Sequence, residues 1–329
     1  MGVALSPDLQ HLWPAVFLAP MAGITDLPTR RIVAGFGAGL VVSEMVASED
    51  LVKAQGLARS RAELGFGEAA TAVQLAGREP YWMAEAARFA EAEGARIIDI
   101  NMGCPAKRVT TGLCGSALLQ DLDLALRLID AVVAAVKVPV TLKTRLGWDE
   151  LTLNAPDLAR RAEGAGIRMI TIHGRTRCQF YKGDADWSAI RAVRDAVAIP
   201  VIANGDIVDL ASTRAAIAAS GADGVMIGRG AQGRPWLLAE IAHGLGQGPA
   251  TMIPRGADLT DLIARHYEEM LAFYGTSLGL RMARKHLGWY LDHLDRPVPL
   301  RRAILTSDDP RAVLRMLAAA ICDASQVAA

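Results

Sequence analysis

The sequence predicts a (β/α)8 (TIM) barrel followed by an all-helical C-terminal domain, an α/β architecture, on three observations. Short β-branched or aliphatic runs alternate with helical stretches through the first three-quarters of the chain. Eight such runs occur, the number that closes a parallel barrel. Beyond about residue 250 the alternation stops and helical periodicity continues alone. The expected division is 1–245 for the barrel and 246–329 for the helical domain. An open doubly wound sheet is the competing fold. It would normally carry G-x-G-x-x-G after its first strand, and Pro20-Met21-Ala22-Gly23-Ile24-Thr25 does not match.

In chain order, strands are expected over 16–19, 40–43, 72–75, 97–100, 138–142, 169–172, 201–203 and 224–227. Helices are expected over 81–94, 122–136, 155–165, 187–197 and 210–220. Gly94, Gly166 and Gly221 stand just past helical runs, as left-handed C-terminal caps require. The Gly/Pro-rich stretch 244–256 marks the boundary, and helices 259–274, 280–294 and 309–319 follow. Pro297 and Pro299 are expected to interrupt this helical region once.

Composition narrows the classes. The 329 residues are 52% hydrophobic and 21% charged, in the range of a folded globular protein rather than a disordered one. Lys and Arg number 35, as do Asp and Glu, so any nucleic-acid surface must come from local clustering. No secretory n-region or membrane-length apolar run is apparent, which makes a cytoplasmic protein without membrane association the expectation. The four cysteines (Cys104, Cys114, Cys178 and Cys322) include no C-x-x-C pair, so no metal, iron–sulfur cluster or disulfide is expected. A lone thiol is more often a small buried hydrophobe than a catalyst, so Cys104 must be judged by its context.

In a β/α barrel, reactive groups sit at the carboxyl ends of strands. Those positions here hold Pro20-Met21-Ala22, Gln74, Asn101-Met102-Gly103-Cys104-Pro105, Lys143, His173, Asn204-Gly205-Asp206 and Gly228-Arg229-Gly230. A structural barrel would place more aliphatic side chains there. The glycine-rich turns after the last two strands, with Arg229, suit a phosphate. Lys143 would point into the mouth, where burial is costly without an anionic partner; the N1–C2 edge of a reduced flavin is one. Gln74 could hydrogen-bond the polar edge of that ring, and the small segment at Pro20–Ala22 would let it lie close to the backbone. Cys104, before Pro105, should face the mouth, and a thiol is a good proton donor at neutral pH. Cys114, on the following Gly- and Thr-rich loop, is the rival thiol; a strand end positions a side chain better.

Six segments together resemble the tRNA-dihydrouridine synthases. They are 18–26 (LAPMAGITD), 99–105 (DINMGCP), 142–147 (LKTRLG), 173–177 (HGRTR), 204–206 (NGD) and 284–291 (RKHLGWYL), the last similar to the bacterial B-type branch. The resemblance implies an FMN-binding barrel and a C-terminal helical domain that holds tRNA. It also implies reduction of a D-loop uridine to 5,6-dihydrouridine, with NADPH or NADH as the reductant. Hydride would go to C6 and a proton from Cys104 to C5. FMN contacts carried over by the resemblance fall on Pro20, Met21, Ala22, Gln74, Lys143, His173, Asn204, Gly205, Asp206, Gly228 and Arg229.

Local charge agrees with an RNA partner. Between Arg281 and Arg302 lie six basic residues (Arg281, Arg284, Lys285, Arg296, Arg301 and Arg302) against Asp292 and Asp295. Lys107, Arg108, Arg145, Arg175 and Arg177 add positive charge from the loops of the mouth. The chain is expected to act as a monomer. The alternatives are a small-molecule FMN oxidoreductase of the dihydroorotate dehydrogenase type, which needs no basic appendage, and an RNA-binding scaffold without catalysis.

Overall fold

The structure is a computed structural model that describes residues 9, 12–53, 71–294 and 297–322. Eight parallel strands form the barrel: β1 (Val16–Leu18), β2 (Leu40–Val42), β3 (Thr71–Ala76), β4 (Ile97–Met102), β5 (Val140–Arg145), β6 (Met169–His173), β7 (Val201–Asn204) and β8 (Gly224–Ile227). β1 pairs with both β2 and β8, and β2 pairs with β3, so the sheet closes on itself. A two-residue strand, Val46–Ala47, lies beside β3.

Period-2 alternation sorts the side chains of every strand. Val73, Leu75, Ile98, Ile100, Leu142, Ile170, Ile172 and Ala203 face outward and pack in one core cluster with the covering helices. Val16, Leu18, Val225 and Ile227 do the same on the other side of the barrel. Phe17, Leu40, Ala72, Ile97, Met169, Ile202 and Met226 face inward and fill the floor. The inward positions one or two steps later in sequence are therefore the ones left for the mouth.

The covering helices begin where the sequence provides caps. Asp26 accepts from Thr29 N at 3.0 Å and opens the helix Leu27–Gly35. Asp209 and Ser212 cap Leu210–Ser220 reciprocally. Gly94, Gly166 and Gly221 all adopt positive φ, as their places after helical runs require. The expected helix over 187–197 is replaced by a short 3-10 segment, Ser188–Ile190, and a single turn, Arg191–Arg194.

A further correction concerns Pro297 and Pro299. Rather than only interrupting the helical region, they start a fourth helix, Val298–Thr306, because proline fits the first turn, where no amide donor is needed. The C-terminal helices are Gly256–Tyr274, Thr276–Asp292, Val298–Thr306 and Pro310–Cys322, around a core containing Ile263, Tyr267, Leu287 and Leu317. They dock on the barrel through the apolar group Ile32, Trp236 and Leu262. Polar contacts add to this: Thr29 Oγ1 lies 3.3 Å from His266 Nε2, and Tyr274 donates to Asp26 Oδ2 at 3.0 Å. Lys285 Nζ donates to Gly23 O. At Gly233 (φ 71°) a Cβ would lie 2.4 Å from Trp289 O, so the two parts meet backbone to backbone there. Among the described residues, no helix is long and apolar enough to cross a membrane.

Candidate active site

A cavity of about 990 Å3 opens at the carboxyl ends of the strands. Its wall includes Pro20, Met21 and Ala22 after β1, Gln74 from β3, and Asn101 and Cys104 from the end of β4. Lys143 enters from β5 and His173 from β6. Asn204, Gly205 and Asp206 come from β7, and Gly228 and Arg229 follow β8. The structure thus brings together all the residues expected to touch a cofactor, and Cys104 with them. Trp289 of the 284–291 segment joins them from the helical domain, with residues not singled out from sequence: Phe180 and Tyr181 from the loop after β6, Gln232 and Arg234 after β8, and His293. None of the latter ends a strand, so no sequence position marked them.

Cys104 sits on a turn pinned from both sides. Asn101 Oδ1 accepts from Gly103 N at 3.2 Å and Cys104 N at 3.0 Å. Ser116 donates to Cys104 O from its hydroxyl at 2.9 Å and its amide at 3.1 Å. Gly115 (φ 59°) makes this approach possible, because a Cβ there would lie 2.8 Å from Cys104 O. The rival Cys114 does not line the cavity. Its thiol donates to Gly112 O at 3.3 Å, and burial pushes its pKa up.

The wall is electropositive. Lys143 donates to Asn204 Oδ1 at 3.1 Å, and burial, with Arg145 nearby, pushes its pKa down to about 8. His173 is held well below its ordinary value by burial and then by Arg145, Lys143, Arg175 and Arg229, so its ring is neutral. Arg175 Nη1 lies 3.3 Å from His173 Nε2. A guanidinium can only donate, so Nε2 is the acceptor and the ring proton belongs on Nδ1. Burial would raise the Asp206 pKa, but the hydrogen bonds from Arg175 and Ala185 N, and the charges of Arg175 and Arg229, lower it. Asp206 pairs with Arg175 at 2.5 Å and Arg229 at 3.3 Å, so its carboxylate holds these arginines in place. Tyr181, 55% exposed, lies between Arg145 and Arg229, whose guanidinium carbons stand 5.4 and 5.3 Å from its ring centre.

The expected RNA contacts divide sharply. Arg145 and Arg175, expected to add positive charge from the loops of the mouth, are buried, with Arg145 in the cavity wall. Arg145 donates to Gly103 O, Thr176 O and Phe180 O at 2.8–3.0 Å, tying the Cys104 turn to the loop after β6. Arg175 donates to Lys182 O and Gly183 O as well as to Asp206. Arg177 is half-buried over the Trp148 ring at 4.6 Å. Arg284 pairs with Asp308 at 2.7 Å, and Arg301 with Asp292 at 2.8 Å. Lys107 and Arg281 are exposed. The side chain of Arg108 and all of Arg296 lie outside the described residues. The basic cluster is therefore largely consumed by internal bonding, which a count of charges along the chain could not register.

A family model, dihydrouridine synthase (Dus), matches residues 17–326. The chain belongs to the dihydrouridine synthase family. Within this family the chain is 58% identical over 323 residues to a "Probable tRNA-dihydrouridine synthase" of Rhodobacter capsulatus, covering 98% of this chain and 99% of the relative. It is 45% identical to a "tRNA-dihydrouridine synthase B" of Xanthomonas campestris, with 92% and 91% covered. Among solved structures, a morphinone reductase mutant in complex with tetrahydroNAD superposes with a TM-score of 0.54 at 13% identity. That alignment covers 75% of this chain and 90% of the reductase, and shows a shared fold. In this chain, unlike a bare barrel, the helical domain supplies part of the cavity wall through Trp289 and His293.

Proposed function

We propose that the chain reduces a D-loop uridine of tRNA to 5,6-dihydrouridine, using FMN as its bound cofactor and NADPH or NADH as reductant. The observation that carries this reading is the placement of Cys104, Lys143 and Arg229 on one cavity wall. A volume of about 990 Å3 lies at the upper end of the range for ligand sites, roughly 300–1,000 Å3.

The residues present fit FMN. Lys143 is a buried cation with three donors, and Asn204 is its one hydrogen-bonding partner among the described residues. The Asp99 charge opposes the shift of Lys143 but does not hydrogen-bond it, and an anionic ring edge would supply a directly bonded negative charge. Gln74 stands at the same wall, and the Gly205 and Gly228 turns with Arg229 suit the phosphate end. Asp206 holds Arg229 for that contact. The chemistry that FMN would supply there is hydride donation to C6 of the base.

The protein supplies the rest. Cys104 carries the proton for C5, on a turn fixed by Asn101 and Ser116. His173, neutral, offers an Nδ1–H to the ring or substrate without adding charge. The uridine must leave its stack to reach the cavity, and exposed Lys107 and Arg281 suit contacts with the RNA phosphates. Dihydrouridine should disappear from tRNA in a strain lacking this protein and no redundant enzyme, and return on complementation. Unchanged dihydrouridine would overturn the reading, as would purified protein without flavin absorbance.

A further inference from the structure

Below the Cys104 turn lies a run of buried polar groups whose far end, Asp99 and Thr141, does not line the cavity. Gln74, Asp99 and Thr141 are direct register partners on three adjacent strands: Gln74 faces Asp99, and Asp99 faces Thr141. All three are buried, with Gln74 fully enclosed and Asp99 3% exposed. Thr141 donates to Asp99 Oδ1 at 2.6 Å, and Gln74 Nε2 donates to Asp99 Oδ2 at 2.7 Å. Asn101 Nδ2 donates to Gln74 Oε1 at 2.8 Å, and Asn101 Oδ1 receives the amides of Gly103 and Cys104.

We propose that Asp99 is a positioning residue that sets the direction of this chain and so the orientation of the Cys104 turn. The reason is the donor and acceptor inventory of the groups. A carboxylate can only accept, so Gln74 must turn its NH2 toward Asp99. Its carbonyl then faces Asn101, which must answer with its own NH2. The Asn101 carbonyl is left facing the turn, where two backbone N–H groups need an acceptor. An amide alone has no preferred direction, since its two ends are nearly the same size. One acceptor-only group at the buried end removes that freedom from both amides. Burial pushes the Asp99 carboxyl pKa up, while the hydrogen bonds from Thr141 and Gln74 and the charge of Lys143 oppose the rise.

Substitution can reverse the polarity without changing the shape. In Asp99→Asn the buried end can donate, so Gln74 and Asn101 can turn over and present an NH2 to the Gly103 and Cys104 amides. In Asn101→Asp two acceptors face each other across Gln74. In the double variant Asp99→Asn/Asn101→Asp the whole chain runs consistently in the opposite direction, with an acceptor again beneath the turn. Comparing Asn101→Asp with the double variant holds constant the new carboxylate near the thiol.

The consequence for catalysis rests on the proposed donor role of Cys104, so two readouts are taken on the flavin-loaded proteins. One is the maximal rate of dihydrouridine formation at saturating tRNA. The other is the rate of Cys104 alkylation by iodoacetamide, located by mass spectrometry, which needs no substrate. Each single variant should lose at least about tenfold in maximal rate, and the double variant should recover about tenfold over Asn101→Asp. Alkylation should change in both singles, and the double should differ from Asn101→Asp. Additive losses, or alkylation indifferent to position 99, would overturn the role of Asp99. A wild type that forms no dihydrouridine yet shows the alkylation coupling would overturn the proposed reaction and leave the positioning role standing.

Discussion

Lys143 Nζ donates to Asn204 Oδ1 at 3.1 Å, and among the described residues this is the one hydrogen bond the ammonium makes. The residue is 9% exposed, and its pKa is pushed down to about 8 from 10.5. The flavin-free protein therefore carries a cation it would rather not bury. Between pH 8 and 10.5 the unfolded chain binds the proton more tightly, so stability should rise with pH across that window. Lys143→Met should stabilise the flavin-free protein at pH 7 by about 2 kcal/mol while weakening FMN binding at least about tenfold. Denaturant unfolding and flavin titration of the same two proteins test both signs. A variant that loses stability and keeps its flavin would refute this account of Lys143.

Cys104 lines the cavity and Cys114 does not. Cys104→Ala should lower the rate of uridine reduction by about 100-fold or more, in the range for removing a general acid, with flavin reduction by NADPH retained. Cys114→Ala should stay within about twofold of wild type, because its thiol bonds only Gly112 O among the described residues. Rapid-mixing measurement of each half-reaction separates these outcomes, and a loss in Cys114→Ala with Cys104→Ala unaffected would return the assignment to the loop thiol.

The docking of the helical domain should weaken in acid. His266 is buried between Thr29 Oγ1 and Tyr290 OH, and its pKa is pushed down to about 4 by burial, with Arg265 adding to the shift and Asp26 opposing it. His286 shifts in the same direction. A histidine depressed on folding contributes its full stability above its unfolded value of 6.5, and that stability is lost as pH falls toward 4. At pH 5 the loss from His266 alone should be about 2 kcal/mol relative to pH 7.5. Urea unfolding at the two pH values checks this, and His266→Gln should show a shallower dependence.

For RNA, exposure separates residues that sequence grouped together. Arg281→Glu and Lys107→Glu should weaken tRNA binding, and each should lower the slope of log affinity against log salt by about one. Lys285→Glu should act differently, because Lys285 bonds Gly23 O on the barrel. Its main effect should be a lower melting temperature. Filter binding across a salt series, beside thermal unfolding, distinguishes the two patterns.

The alternation of eight apolar runs was enough to locate every barrel strand to within three residues at either end, because outward positions must be apolar and the glycines after helices need positive φ. Because reactive groups of such a barrel sit at the carboxyl ends of its strands, Gln74, Lys143, His173 and Asn204 could be picked before any contact was known. Charge counting served less well: Arg145 and Arg175 look like surface cations in sequence, yet both are buried and bonded to carbonyls or Asp206.

By itself, the sequence determined the barrel, its polar mouth and the presence of Cys104 at the end of β4, since these follow from local periodicity and turn chemistry. The tertiary structure alone decided which cations are free, that Trp289 and His293 of the helical domain help wall the cavity, and that Asp99 reaches Cys104 through Gln74 and Asn101. Those facts depend on strand register and on helix docking, which join residues far apart in the chain. Hydrogen-bond direction and burial are set by such neighbours, and no window of sequence contains them.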